Sequence, residues 1–255
     1  MKIREIFETP SMPLASPSYP SGPFRFIGRE YFIIHYETDP GAISAALPEP
    51  LDPDGSDSVL YEFIAMPDSS GFGNYAESGI VIPAKYEGVD LNFTAQMYLN
   101  NQPAVAGGRE IWGFPKKAGK PSLTTISDTL TGILEYANVQ VAIGTMAYKH
   151  ADMLCNTKGD RMGAQEKVIA KLSKTQVNLK MIPDVDGELK IAQLVSYQLT
   201  DIVLKGAWSG PARLHLVPHV NAPVADFPVR RVLGGFHIVA DLTLPYGSVM
   251  HDYLK

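Results

Sequence analysis

The sequence predicts an α+β protein, mainly antiparallel β, with its sheet curled into a barrel or cone and a few peripheral helices. Three observations carry this reading. Short β-branched, aromatic and aliphatic runs recur along most of the chain, each bounded by Gly, Pro, Asn or Asp, as hairpins require. Helical periodicity is confined to a few brief stretches. No clear linker divides the 255 residues, so 1–255 are read as one domain.

The chain opens on an arm. Residues 10–23 carry five prolines, which exclude a helix or a central strand, so residues 1–23 are expected to lie extended over the domain or a neighbouring subunit. Strands then dominate. Tyr31 to Tyr36 is β-branched and aromatic, and Val59 to Met66 is apolar on both faces except for Glu62. Asn92 to Leu99 alternates, with Phe93, Ala95, Met97 and Leu99 expected on one side. Further strands are read at Ile133–Met146, Val177–Ile182, Leu189–Leu204, Ala212–Val217 and Phe236–Leu244. Asp39-Pro40 caps a short helix running to Leu47. Met162–Leu172 is amphipathic enough for a second helix, and Ser248–Leu254 is read as a third.

Composition narrows the function. A net charge of −5 and a pI near 5.7 argue against nucleic acid and anionic membranes as main partners, since both call for a basic surface. Cys155 is the only cysteine, so no internal disulfide is possible and a structural thiol in the cytoplasm is expected. The start, MKIREIFETP, carries acidic residues and no apolar h-region, so it is not read as a signal peptide. No run approaches the length of a membrane span.

Several motifs fail on context. "GFGNYA" (residues 71–76) fits a dinucleotide fingerprint, but strand-like "ESGIVIP" follows where a helix is needed, so a glycine hairpin is the better reading. His215 and His219 have helical spacing inside a strand pattern broken by Pro218. The other histidines stand apart, with no second ligand at zinc spacing, so no metal is expected. No G-x-S-x-G elbow is present.

"EIWGFPKKAG" (residues 110–119) is different, because it sets two lysines at the end of an apolar, strand-like run. On an extended segment neighbouring side chains point to opposite faces, so one of Lys116 and Lys117 faces inward and the other outward. An inward lysine either snorkels to water or a carboxylate, or acts as a neutral amine that attacks a ketone. At the ordinary lysine pKa of about 10.4, only roughly one amine in 2,500 is neutral at pH 7. Burial is expected to matter more for that chemistry than the neighbouring charge, and Ile111, Trp112 and Phe114 supply it. Glu62 shares its strand face with Leu60, Ile64 and Met66, a poor place for a charge without a partner. Glu77 sits between the glycine hairpin and an apolar strand, and Arg29 precedes another. An inward lysine, two confined glutamates and an arginine suit imine chemistry.

The chain resembles acetoacetate decarboxylase nearly end to end. The resemblance runs through "GREYF" at 28, "YEFIAMPDSSGFGNYAESG" from 61, "MYLNNQPAVAGGRE" from 97 and "GFPKKAGKP" from 113. It continues through "TMAYKH" from 145, "WSGPARLHL" from 208, "HIVADLTLP" from 237 and the final "DYLK". It implies a cone-like β-barrel, a homo-oligomer (typically a dodecamer) and cofactor-free decarboxylation of a 3-oxo acid, acetoacetate, to acetone and carbon dioxide. By the same resemblance Lys116 is the Schiff-base lysine, and Arg29, Glu62 and Glu77 are polar active-site positions. Lys117, Met97, Phe26 and Phe114 are the candidate pocket residues, with Lys117 expected to be mainly structural. Phe114 stands where some members have tyrosine, and 151–173 matches the family least. Two rival readings remain: a related Schiff-base aldolase-dehydratase acting on oxo acids, and a non-catalytic ligand-binding barrel.

Overall fold

The computed structural model describes residues 2–154 and 160–255, so Cys155 lies outside the described residues. In chain order the first strands are β1 (Phe24–Glu37), β2 (Asp52–Pro53), β3 (Ser58–Met66), β4 (Asp68–Ser69), β5 (Tyr75–Tyr86) and β6 (Val89–Leu99). Next come β7 (Lys116–Ala118), β8 (Lys120–Ile126), β9 (Thr129–Tyr136), β10 (Val139–Ala147) and β11 (Ala151–Asp152). The last are β12 (Gln176–Pro183), β13 (Leu189–Tyr197), β14 (Thr200–Gly210), β15 (Ala212–Leu216), β16 (Arg231–Leu244) and β17 (Ser248–Asp252). The helices are α1 (Ile3–Glu8), α2 (Pro40–Ala46), α3 (Gln102–Gly107) and α4 (Arg161–Leu172). A π-helical turn, Gly108–Trp112, extends α3.

The main sheet runs β11-β14-β16-β1-β3-β5-β6-β12-β13-β17, and a second sheet runs β15-β10-β9-β8. Pairing is antiparallel except where β6 meets β7 and β12. Both ends of the main path are free, and no sheet closes on itself among the described residues, so the expected closed barrel is not seen. The far edge of β6 is divided. Its residues 92–93 pair with β12 and its residues 97–99 pair with β7, so the sheet forks there.

Strand alternation explains the two halves of the core. Phe32, Ile34 and Tyr36 point from β1 toward the second sheet, where they pack with Phe63, Ile80 and Leu134. The odd positions of β1 point to the opposite face, where Tyr31 joins Phe26, Met97, Trp112 and Phe114. The two layers meet closely because Gly132 has no side chain: a Cβ there would lie 2.2 Å from the Phe63 ring.

Several elements depart from the sequence reading. The arm is not extended throughout, since α1 precedes its prolines and is held by Lys2 N–H donating to Glu5 Oε2 (2.8 Å). Beyond it, Tyr19 is buried and donates to Glu110 Oε2 (2.5 Å), so the arm lies over this chain's own α3 and π turn. Ile133–Met146 is not one strand but the β9–β10 hairpin, turned by Ala137 and Asn138, both at positive φ. Leu189–Leu204 likewise divides into β13 and β14. Ser248–Leu254 is not a helix: β17 takes the open edge of β13, because so short a helix cannot outweigh the backbone bonds of a ladder. The run before Lys116 is helical rather than strand-like. Asn101 caps α3 by accepting from Ala104 N–H (2.9 Å), and Gly113, at φ 74°, ends the turn.

Candidate active site

A cavity of about 400 Å³ opens on the odd face of β1. Register places its wall residues side by side. Ile33, Glu62, Gly79, Met97 and Lys116 form one rung across β1, β3, β5, β6 and β7. The next rung on one side runs Tyr31, Ile64, Glu77, Leu99; on the other it runs His35, Leu60, Val81, Thr94.

Two β-bulges decide which side chains share this face. In β1 the register slips between Phe26 and Arg29, where Gly28 takes φ 65° and donates its N–H to Asp241 Oδ1 (2.7 Å). The extra residue brings Phe26 and Arg29 to the same side, although their spacing is odd. In β6 the slip falls at Ala95, so Thr94 and Met97 both line the cavity. Phe93 and Ala95 pack on the other core, which corrects the single face expected for Phe93, Ala95, Met97 and Leu99.

Lys116 points into this site and Lys117 away from it. Lys116 is 6 % exposed, and its Nζ lies 2.7 Å from Oε1 of Glu77, itself 4 % exposed. Lys116 Nζ also sits 4.8 Å from the Phe114 ring centroid. Glu77 Oε2 faces Arg29 Nη2 at 4.0 Å, so one carboxylate lies between two cationic side chains. Arg29 stacks against Phe26 and Tyr31, at 5.2 Å and 4.7 Å from their ring centroids. Burial works against the Arg29 charge, but Tyr31 and Glu77 outweigh it and hold the guanidinium above its ordinary pKa.

The Glu62 carboxyl has no hydrogen-bond or ion-pair partner among the described residues. Burial pushes its carboxyl up to about 7; Arg29 works against that rise and Glu77 adds to it. Near neutral pH Glu62 therefore holds or releases a proton readily. Burial also raises Tyr31 to about 12 and lifts Tyr75 and Tyr197 above the ordinary phenol range, so all three stay neutral hydroxyls. Arg29 Nε and the Tyr31 hydroxyl are buried with no hydrogen-bond partner. Among the described residues no cluster of three His, Cys, Asp or Glu is arranged to hold a metal ion, and no helix is long and apolar enough to cross a membrane.

The sequence-predicted residues thus fall into two groups. Arg29, Glu62, Glu77, Lys116, Phe26, Met97 and Phe114 all line the one cavity. Lys117 does not, which corrects its place among the pocket candidates: its ammonium donates to Asn221 O (2.5 Å) and sits 5.3 Å from the Tyr136 ring centroid. Sequence reasoning missed Tyr31, Tyr75 and Tyr197, which lie far apart in the chain. It also missed Gly108. A Cβ at Gly108 would lie 2.6 Å from Lys116 Cδ and 2.9 Å from Cε, so the lysine stem reaches the cavity only across a bare backbone. The glycine pair in "AVAGGRE" was the available signal.

Comparison with known proteins gives a consistent result. The profile of the family described as Acetoacetate decarboxylase (ADC) matches residues 11–254. The chain is 50% identical over 256 residues to the acetoacetate decarboxylase of Chromobacterium violaceum, covering 100% of both chains. The crystal structure of acetoacetate decarboxylase from Legionella pneumophila superposes with a TM-score of 0.88 at 46% identity, covering 98% of this chain and 96% of that one. A further solved acetoacetate decarboxylase structure superposes with a TM-score of 0.93 at 41% identity, covering 100% of both chains.

Proposed function

The chain belongs to the acetoacetate decarboxylase family, and we propose that it converts acetoacetate to acetone and carbon dioxide through an imine on Lys116. The observation that carries this reading is the buried Lys116–Glu77 pair at an apolar cavity, with Arg29 beside it.

The chemistry follows from the geometry. Lys116 Nζ, once neutral, attacks the C3 carbonyl, and loss of water leaves an iminium. The bond between C2 and the carboxylate then breaks, its electrons pass to the iminium nitrogen, and carbon dioxide departs. The resulting enamine takes a proton on C2, and water releases acetone and the free amine. The nitrogen is the electron sink, so the scheme calls for no cofactor. Arg29, with its unpartnered Nε and the Tyr31 hydroxyl beside it, is placed to receive the substrate carboxylate. Glu77 takes and returns the Lys116 proton at 2.7 Å. Glu62, poised at about 7, supplies a proton during carbinolamine dehydration or enamine protonation.

The homo-oligomer implied by the family resemblance and the cytoplasmic location expected from cysteine usage belong to the same proposal. Exposed Ile3, Phe7 and Met12 on the N-terminal arm support an assembly in which a neighbouring copy covers them. Borohydride reduction in the presence of acetoacetate, with mass analysis of the labelled peptide, tests the imine, and carbon dioxide release tests the reaction. Release of carbon dioxide with no adduct on Lys116 would refute the covalent route. An adduct with no release would leave an imine-forming protein that is not a decarboxylase.

A further inference from the structure

We propose that Asn178 and Lys180 are positioning residues for the reaction at Lys116. From β12 they tie off the last two carbonyls of the π turn, and so fix where the lysine stands against Glu77. The inference rests on the imine reading at Lys116 and deepens it, from residues that lie outside the cavity.

The turn that delivers Lys116 ends without partners of its own. At Gly113 the chain leaves the helical path, so Ile111 O and Trp112 O receive no N–H from a following turn. Both are met from β12 instead. Asn178 Nδ2 donates to Trp112 O at 3.3 Å, and Lys180 Nζ donates to Ile111 O at 3.2 Å. Residues two apart on a strand project from one face, so one side of β12 supplies both donors. The Lys180 cation also meets the negative end of the helical turn. The two backbones touch: a Cβ at Gly113 would lie 2.4 Å from Lys180 Cα.

This tie spans the fork at the edge of β6. There β12 pairs with β6 only at Gln176 and Val177, and β7 takes up the same edge from Met97. The other edge of β12 is anchored to β13 from Gln176 to Pro183. By contrast, β7 is three residues long and pairs with β6 alone among the described residues. So short a strand relies on the turn before it being held still. That turn touches the lysine directly. Gly108 packs against the Lys116 stem, and Arg109 Nη1 donates to Lys116 O at 3.3 Å. A turn that rocks therefore carries Nζ with it.

Stability alone does not account for the two residues. Asn178 is fully buried, yet its Oδ1 has no partner. A buried amide left half unmet is unfavourable, and a leucine of similar size would avoid it. Burial also holds the Lys180 ammonium below the ordinary lysine pKa, with Glu110 opposing, so it sits there against a desolvation cost.

The test compares Asn178→Leu, Lys180→Met and Lys180→Arg in the full chain. Displacing a reacting group by about 1 Å costs on the order of 10²-fold, so Asn178→Leu and Lys180→Met should each lower kcat for acetoacetate roughly ten- to a hundredfold. KM should stay within about twofold, because no residue of the cavity wall is altered. Lys180→Arg keeps the donor and the charge and should recover most of the lost kcat. The melting temperature of Asn178→Leu should change little, since the unpartnered oxygen goes with the donor. Hydrogen exchange read by mass spectrometry should quicken at residues 108–118 in Asn178→Leu and Lys180→Met, and nowhere else. Loss of kcat only in step with the folded fraction, or unchanged exchange at 108–118, would overturn the proposal. So would Lys180→Arg as slow as Lys180→Met. If Asn178→Leu does not fold, the two Lys180 variants decide by the same readings. A parent chain that neither releases carbon dioxide nor forms an adduct would refute the reaction itself. Faster exchange at 108–118 in the variants would then place the failure in the chemistry and not in the cap.

Discussion

Lys116 and Glu77 meet at 2.7 Å across an intervening strand. Lys116 lies on β7 and Glu77 on β5, with β6 between them, and both side chains lean over the Met97–Leu99 stretch of β6. The short parallel pairing of β7 with β6 fixes the lysine opposite Met97, one rung from Glu77. Lys116 and Glu77 are therefore held by the ladder itself rather than by a loop.

Lys116→Arg should abolish both carbon dioxide release and borohydride labelling, because a guanidinium stays protonated and cannot form the imine. Arginine keeps a cation beside Glu77, so the folded state should survive. Lys116→Ala should be equally inactive but less stable. Breaking a buried pair costs about 3–5 kcal/mol when it leaves an uncompensated charge. The Arg29 guanidinium, 4.0 Å from the other Glu77 oxygen, reduces that cost. Thermal melts of the two variants beside their activities separate the chemical role from the structural one.

Glu77→Gln keeps the shape and removes the proposed proton acceptor. Loss of such a group lowers kcat on the order of 10²- to 10⁴-fold. Activity that fell only in step with the folded fraction would make Glu77 a structural counter-ion and nothing more.

Glu62→Gln is checked by a signed pH effect. The folded pKa of Glu62 is raised to about 7, above its value in the unfolded chain. Between about pH 4.5 and 7 the native state binds more protons at this site than the unfolded state, so Glu62 makes stability fall as pH rises through that window. The penalty is absent in acid and fully present above pH 7, on the order of 2–3 kcal/mol once solvent reaching the half-buried carboxyl is allowed for. The glutamine variant should gain stability relative to the parent at pH 8 and not at pH 4. Its kcat profile should lose the ionisation near 7. Parallel stability curves for the two proteins from pH 4 to 8 would contradict the raised pKa.

Lys117→Met should leave kcat for acetoacetate essentially unchanged. The Lys117 ammonium is bonded to Asn221 O beside Tyr136, on the face away from the cavity. A large loss of kcat at unchanged stability would show that the second lysine acts on the reacting centre after all.

The sequence made legible whatever depends on nearest neighbours. The strand at Tyr31–Tyr36, the cap at Asp39 and the opposite facing of Lys116 and Lys117 are local properties of strand and helix geometry, and all three appear in the structure. Features set by distant partners were not legible. Ser248–Asp252 becomes a strand only because β13 offers an open edge. Ile111, Trp112 and Phe114 have the composition of a strand, yet the capped helix before them and Gly113 after them make that run a turn. The bulge at Ala95 has no glycine to announce it, and it moves Met97 to the opposite face from Phe93. The site was readable in its residue types and unreadable in its parity, because one inserted residue reverses every side chain beyond it.

Gly108→Ala tests how the lysine stem is held. Gly108 is helical, at φ −61° and ψ −44°, so alanine meets no backbone strain there and ordinarily gains about 0.8–1.0 kcal/mol over glycine in a helix. The added Cβ, however, would lie 2.6 Å from Lys116 Cδ, 2.9 Å from Cε and 3.1 Å from Nζ. These atoms form the far end of a flexible side chain, so the fold accommodates the methyl by moving the stem and not the backbone. Nζ is then displaced from Glu77 and from the point where it meets the carbonyl carbon. Misplacement of a reacting group by about 1 Å costs on the order of 10²-fold in rate. The expected result is a melting temperature close to that of the parent, kcat lower by about two orders of magnitude and slow borohydride labelling of Lys116. Loss of stability in proportion to loss of activity would mean that the backbone moved instead. Full activity would mean that the stem has another route into the cavity.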